Sequence, residues 1–158
     1  MNLRRPMMLR PALGSEAEAM AEMSRRLIEA GLGWRYTPQR VAALIRHPET
    51  VALVAHDAVG LQGFAVMQFA DTQAHLVLLC VQPALRQRGV GRSLMNWLLH
   101  SARLAGIESI ALELRADNTA ALAFYRRLGF TETLLVPAYY DGRVPAQRMT
   151  LTLRASGA

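Results

Sequence analysis

The stretch LRQRGVGRSLM, residues 85–95, sets Arg86, Arg88 and Arg92 around Gly89 and Gly91, directly ahead of an apolar helical pattern. The run before it, HLVLLCV at 75–81, is apolar and strand-like, so the stretch reads as a handover from strand to a helix starting near Val90. The first amides of a helix have no internal acceptor. Glycines at 89 and 91 let that bare backbone come close to a ligand, the helix dipole favours an anion, and arginine presents forked donors to phosphate oxygens. The loop therefore suits a pyrophosphate, although a glycine-rich turn with solvated arginines stays open on these residues alone. Two other phosphate motifs do not fit. GVGRSL lacks the third glycine or alanine of a dinucleotide fingerprint, and a P-loop needs a lysine, which the chain does not contain.

A length of 158 residues predicts one domain, 1–158, large enough to bury a core. All 18 basic residues are arginine against 12 carboxylates, so a formal charge of +6 persists at any physiological pH and anionic partners are favoured. The arginines are scattered apart from Arg86, Arg88 and Arg92, and aromatics make up only 6%, which argues against a nucleic-acid surface. A single cysteine, Cys80, excludes an internal disulfide and a cysteine-rich metal site, and no metal is expected. The opening MNLRRPMMLRPALG has no sustained apolar segment, so neither a secretory signal nor a membrane span is expected and the cytoplasm is the default location.

Ser15 followed by Glu18 reads as a capping box, with Met20, Met23, Leu27 and Ala30 recurring at helical spacing over about 15–30. Thr37 and Pro38 start a short second helix carrying Val41, Leu44 and Ile45, which Pro48 ends. Strand-like runs at 51–56, 61–69 and 75–81 come next with short connections, the signature of an antiparallel meander. The next helix places Leu94, Trp97, Leu98 and Ala105 on one side and ends at Gly106; residues 109–115 then alternate as a strand. Strand, helix, strand implies a crossover and one parallel pair. Asp117 or Asn118 caps a last helix closed by Gly129, and strands near 130–136 and 146–153 flank the turn YYDGR. The fold class is α/β: a mixed, mostly antiparallel sheet with a parallel central strand pair, flanked by helices. Apolar edge strands near the C-terminus are able to pair with a second copy, which leaves a homodimer open.

The loop RQRGVG, Arg86 to Gly91, resembles the Arg/Gln-x-x-Gly-x-Gly/Ala pyrophosphate loop of the GCN5-related N-acetyltransferase (GNAT) superfamily, and NTAALAFYRRLGF, 118–130, resembles that superfamily's Asn-x-x-Ala-x-x-Phe-Tyr-x-x-x-Gly-Phe segment. The likeness extends over nearly the whole chain. Within the superfamily, the Ala-Tyr-Tyr and Met-x-Leu elements near the end are similar to ribosomal-protein-alanine N-terminal acetyltransferases. Two departures stand out: Pro145 where those enzymes tend to carry an acidic residue, and His75 where they place a glutamate.

The resemblance implies direct transfer of acetyl from acetyl-CoA to a primary amine such as a protein N-terminus. A small-molecule amine as acceptor, or a CoA-binding module without turnover, are the alternatives. It also implies that Arg86, Gln87, Arg88, Gly89, Val90, Gly91, Arg92 and Ser93 hold the cosubstrate's phosphates. The main chain of Leu79, Cys80 and Val81, with Asn118 and Ala121, lies along its pantetheine arm, and Tyr125 sits at the sulfur as acid. Asn118 and Tyr125, seven residues apart, fall on nearly one helix face about 10 Å apart. His75 is the candidate base, directly or through water, because an imidazole accepts protons at neutral pH. Phe124 is expected to pack in the core with Ala120 and Leu128, and Cys80 to be a buried core thiol. Trp34 and Tyr36 in GLGWRYT and Tyr139 and Tyr140 in AYYDGR are the acceptor-binding candidates, although Asp141-Gly142 also reads as a plain hairpin turn.

Overall fold

The structure is a computed structural model that describes residues 6–153. Its elements are β1 (Met8–Pro11), α1 (Ala17–Leu27), α2 (Pro38–Arg46), β2 (Thr50–Asp57), β3 (Gly60–Phe69), β4 (Gln73–Val81), α3 (Val90–Leu104), β5 (Ser109–Arg115), α4 (Thr119–Arg127), β6 (Thr131–Tyr140) and β7 (Val144–Thr152). The strands hydrogen-bond in the order β1-β2-β3-β4-β5-β7-β6, the mixed, helix-flanked α/β sheet that the sequence predicts. Two compact units share it. One comprises the chain up to Gln68 with Val77–Ser101, the other Phe69–Leu76 with the chain from Ala102 onward, so β4 contributes to both.

In the first unit the apolar stripe of α1 lies against the inward side chains of the strands. Ala17, Met20, Ala21 and Met23 of α1 and Val41 of α2 form a buried cluster with Ala52 and Val54 of β2, Phe64 and Val66 of β3, and Leu78 and Cys80 of β4. Fully burying a side chain the size of Phe64 or Met20 is worth about 1.5–3 kcal/mol, so this cluster is what fixes both helices. Thr37 caps α2 by accepting the Arg40 N–H at 3.3 Å, with Pro38 behind it, as its sequence indicates. The start of α1 differs from expectation. Ser15 does not cap; Glu16 accepts the Leu13 N–H at 2.8 Å and is gripped by both terminal nitrogens of Arg10, at 2.7 and 2.9 Å. Arg10 lies in β1, a short edge strand on β2 that shows no alternation in sequence.

Residues of α3 that are buried are Val90, Leu94, Met95, Leu98, Leu99 and Ala102, a stripe rotated from the expected one: Trp97 is 39% exposed and Ala105 is exposed. Its period was legible but its phase was not, because Trp97 and Met95 compete for the face and the smaller Met packs.

The second unit holds the parallel pair. β4 meets β5 at Gln73↔Ser109, Ala74↔Ile110 and His75↔Ala111, and the ladder comprises these three pairs. β5 then runs antiparallel to β7 along its whole length, from Ser109↔Thr152 to Arg115↔Ala146. Ile110, Leu112 and Leu114 are buried and alternate with half-buried neighbours. β6 closes onto β7 through a turn in which Asp141 (φ 52°) and Gly142 (φ 66°) are both left-handed and the Arg143 N–H reaches Tyr140 O at 3.0 Å. Positive φ at both central residues is why Asp-Gly is found there.

Gly63 sits where β3 passes β4, and a Cβ there would lie 2.9 Å from the backbone oxygen of Cys80. A carbonyl cannot swing away as a flexible side-chain tip can. Gly63→Ala is expected to lose about 1–3 kcal/mol of unfolding free energy in urea titration, the usual scale for overpacking; a loss below about 0.5 kcal/mol would show that the two strands separate at little cost.

Candidate active site

The strand-to-helix handover begins with a 3-10 turn at Pro83–Leu85, after which the Arg86 N–H bonds Pro83 O at 3.2 Å and the Arg88 N–H bonds Leu85 O at 3.3 Å. Gln87 (φ 65°) and Gly89 (φ 83°) are both left-handed. The first bond of α3 runs from the Ser93 N–H to Gly89 O at 2.9 Å, which leaves the amides of Val90, Gly91 and Arg92 without helical acceptors. The three amides left open at this helix start, with the helix dipole behind them, are donors suited to an anion. Arg86, Arg88 and Arg92 are exposed around it and form no ion pair among the described residues. The space beside the Gly89 Cα is open. A pyrophosphate group fits these donors in number, charge and access.

Cys80, on the strand leading into the loop, is core as expected: its Sγ lies 3.9 Å from Met23 O, and burial pushes the thiol up to about 12. A thiol so protonated and enclosed is no nucleophile, so Cys80 can meet a ligand only through its main chain.

The α1–α2 connection is held from beneath. Glu29, 7% exposed, accepts the Arg35 N–H at 2.7 Å and the Tyr36 N–H at 3.2 Å through Oε1, and the buried Ser24 hydroxyl at 3.1 Å through Oε2. Trp34 and Tyr36 are thereby set on a fixed backbone. Each carries a guanidinium on its ring face, Arg25 at 5.5 Å from Trp34 and Arg40 at 4.8 Å from Tyr36. Glu29 has no local sequence signal, since it reaches six and seven residues ahead.

In the second unit His75 is not alone. Its Nε2 is 2.5 Å from Glu113 Oε2, while Glu113 Oε1 accepts from Arg148 Nε at 3.0 Å. Glu113 is mostly buried and His75 half-exposed. The hydrogen bond from His75 holds the Glu113 carboxyl below the usual carboxylate range, against the opposing effect of burial, with Arg148 adding to the shift. An ionised Glu113 fixes the proton on Nε2 and so leaves the Nδ1 lone pair of a neutral imidazole available. Glu113 and Arg148 face each other across the β5–β7 ladder, a pairing invisible from sequence at a separation of 35 residues.

On α4, Asn118 caps the helix by accepting the Ala121 N–H at 3.1 Å; as the acceptor is Oδ1, the Nδ2 group is left for another partner. The packed face of the helix is Leu122 and Tyr125, not the expected Phe124 with Ala120 and Leu128: Ala120 is exposed, and Phe124 and Leu128 are half-buried. The Tyr125 ring, 8% exposed, stands edge-on to Phe124 at 5.1 Å and Phe130 at 5.6 Å between ring centres. Burial holds its phenol above the ordinary range, with a smaller push from Tyr140, and among the described residues its hydroxyl has no hydrogen-bond partner. A buried phenol with an unused donor is one that a ligand can satisfy. Tyr139 and Tyr140 are T-shaped at 4.9 Å, and the left-handed Ala138 (φ 54°) kinks β6 just before them, where its register with β7 shifts.

This α/β fold defines a class, and comparison with known proteins agrees. The acetyltransferase (GNAT) family model matches residues 18–130, and the chain belongs to that family. It is 35% identical over 96 residues to the [ribosomal protein bS18]-alanine N-acetyltransferase of Escherichia coli, an alignment covering 59% of this chain and 65% of that protein's length. Its structure superposes on the crystal structure of the Escherichia coli ribosomal-protein-S18-alanine N-acetyltransferase with a TM-score of 0.83 at 25% identity, over 96% of this chain and 97% of that one. Ard1 from Thermoplasma volcanium gives 0.82 at 27% identity, over 94% and 98%. Among the described residues no helix is long and apolar enough to cross a membrane.

The Glu113 arrangement makes stability depend on pH with a defined sign. A carboxyl depressed in the folded state stabilises above its unfolded value, about 4.3, and loses that contribution as pH falls through the folded value. In urea titrations Glu113→Gln should therefore be less stable than wild type between about pH 5 and 7, with the gap closing below about pH 4.3. A gap that stays constant down to about pH 3 would mean that the ionised carboxylate contributes nothing.

Proposed function

We propose that the protein is an N-acetyltransferase that moves acetyl from acetyl-CoA directly to a primary amine, the acceptor being the free amino group of a protein N-terminus. The observation that carries this is the start of α3, where the amides of Val90, Gly91 and Arg92, just beyond two left-handed residues, have no helical acceptors, with three arginines around them that form no ion pair among the described residues. Bound acetyl-CoA supplies an activated acetyl thioester. Gln87, Gly89, Val90, Gly91 and Arg92 bind its pyrophosphate through main-chain N–H groups, with Arg86, Arg88, Arg92 and Ser93 as side-chain contacts. The main chain of Leu79, Cys80 and Val81 aligns the pantetheine arm, and the β4–β5 ladder does not use those residues. Asn118 Nδ2 and Ala121 serve the same arm.

An attacking amine must be neutral, although an α-amino group has a pKa of roughly 8 and a lysine roughly 10.4. His75 takes the proton at Nδ1, directly or through water, while Glu113 holds Nε2–H and stabilises the imidazolium that forms. Tyr125 presents its hydroxyl to the departing thiolate. Because burial keeps the phenol protonated, Tyr125 always has a proton to donate. Trp34, Tyr36, Tyr139 and Tyr140 line the acceptor. An N-terminal acceptor is supported by the lower pKa of an α-amine and by the activity for which the Escherichia coli relative is named. The chain spans about two thirds of that relative's length.

CoA should raise the melting temperature, since a ligand bound only by the folded state stabilises it. Gly89→Val should abolish most of the gain, because a side chain would fill the phosphate position on a backbone that disfavours it. An unchanged melting curve at saturating CoA would remove the proposal. Tyr125→Phe keeps the edge-on packing and deletes only the donor. Its kcat should fall on the order of 100- to 10,000-fold while the CoA dissociation constant moves little. Near-wild-type kcat with chemistry limiting would assign the proton to another group.

A further inference from the structure

We infer that Arg148 is a positioning residue for the proton transfer, acting through Glu113 on His75; this rests on the reading of the protein as an amine acetyltransferase. The three side chains belong to one compact unit and stand on neighbouring strands, β4, β5 and β7. Alternation along β5 buries Ile110, Leu112 and Leu114 on one face, which places Glu113 on the other. The β5–β7 ladder sets Arg148 directly opposite Glu113, and the parallel pair His75↔Ala111 brings His75 to the same carboxylate from the other side. Arg148 Nε donates to Oε1 at 3.0 Å, which fixes the carboxylate plane and leaves Oε2 for His75.

Glu113 is mostly buried, so its charge is poorly screened, and His75 and Arg148 are the charged groups that act on it. Arg115, two residues along the same strand, is paired with Asp117, and β6 brings the apolar Leu134 opposite Arg148. His75 and Glu113 share one short hydrogen bond, so protons enter and leave them as a pair. Arg148 carries a charge that does not titrate in the working range. A fixed cation beside the pair disfavours a further proton on either member. Since a base has to be free of its proton before it takes one from the amine, Arg148 extends to lower pH the range in which the pair is able to act.

The test compares wild type, Arg148→Gln and Arg148→Lys on the whole chain, with saturating acetyl-CoA and a peptide that begins with alanine. Glutamine keeps a donor for Oε1 and removes the charge; lysine keeps the charge. In Arg148→Gln the acid limb of the kcat/KM profile should move up by roughly half a pH unit to one, the scale of a partly exposed charge pair. The rate below the limb then falls about 3- to 10-fold while the plateau changes little. Arg148→Lys should keep the wild-type limb. Deprotonation of the peptide's own amine is common to the three proteins, so a difference between their profiles belongs to the enzyme. The pH midpoint at which the His75 ring protons titrate by NMR should rise with the limb in Arg148→Gln and stay in place in Arg148→Lys. A limb unmoved in Arg148→Gln, or moved equally by both substitutions, would overturn the inference. So would a lowered plateau and lowered urea stability at an unmoved limb, because Arg148 would then be only structural, or a limb that moves while the His75 midpoint does not. Wild-type turnover with an unmoved limb removes this inference alone; if wild type acetylates neither this peptide nor any small amine, the functional reading itself falls and this inference with it.

Discussion

An α-helix cannot satisfy its own first amides, and in this protein the unsatisfied amides of α3 are placed rather than hidden. Burial of Leu78 and Cys80 fixes where β4 ends, the 3-10 turn at Pro83–Leu85 redirects the chain, and two left-handed residues bring it into the helix. A capping side chain would silence those donors. The residue ahead of α3 is Gly89, which has no side chain to cap with, so the donors stay open to an anion. By contrast, α2 and α4 are capped by Thr37 and Asn118.

Two carboxylates, one in each compact unit, organise their surroundings by being consumed. Glu113 accepts from His75 on β4 and Arg148 on β7, tying three adjacent strands at the parallel pair. Glu29 accepts two amides and a hydroxyl and so gives a surface loop a buried anchor.

Most elements were legible because their signals are local. The alternation of Ile110, Leu112 and Leu114, the Thr37-Pro38 start and the Asp141-Gly142 turn each depend on neighbours within a few residues. The strand-to-helix handover around Gly89 was legible for the same reason. The features that escaped depend on long-range partners. β1 is an edge strand whose pairing with β2 is set roughly 45 residues away, a separation no local pattern encodes. Glu113 reads as one more outward polar residue of a strand, and only the fold brings His75 and Arg148 to it. The faces of α3 and α4 were misphased because nearby apolar residues, Met95 beside Trp97 and Phe124 beside Tyr125, are both able to pack and tertiary contacts choose between them. For Tyr125 the choice matters, since the buried residue is the one with a hydroxyl to spare.

The central claim is that backbone amides at the α3 start hold the cosubstrate by its pyrophosphate. Calorimetric titration with CoA, 3′-dephospho-CoA and pantetheine separates the contributions of that ligand's parts. If the claim is right, CoA and dephospho-CoA bind with similar affinity and pantetheine, which lacks the pyrophosphate, binds far more weakly. Pantetheine binding as tightly as CoA would contradict it, because the affinity would then reside in the arm and the amides at residues 87–92 would hold nothing.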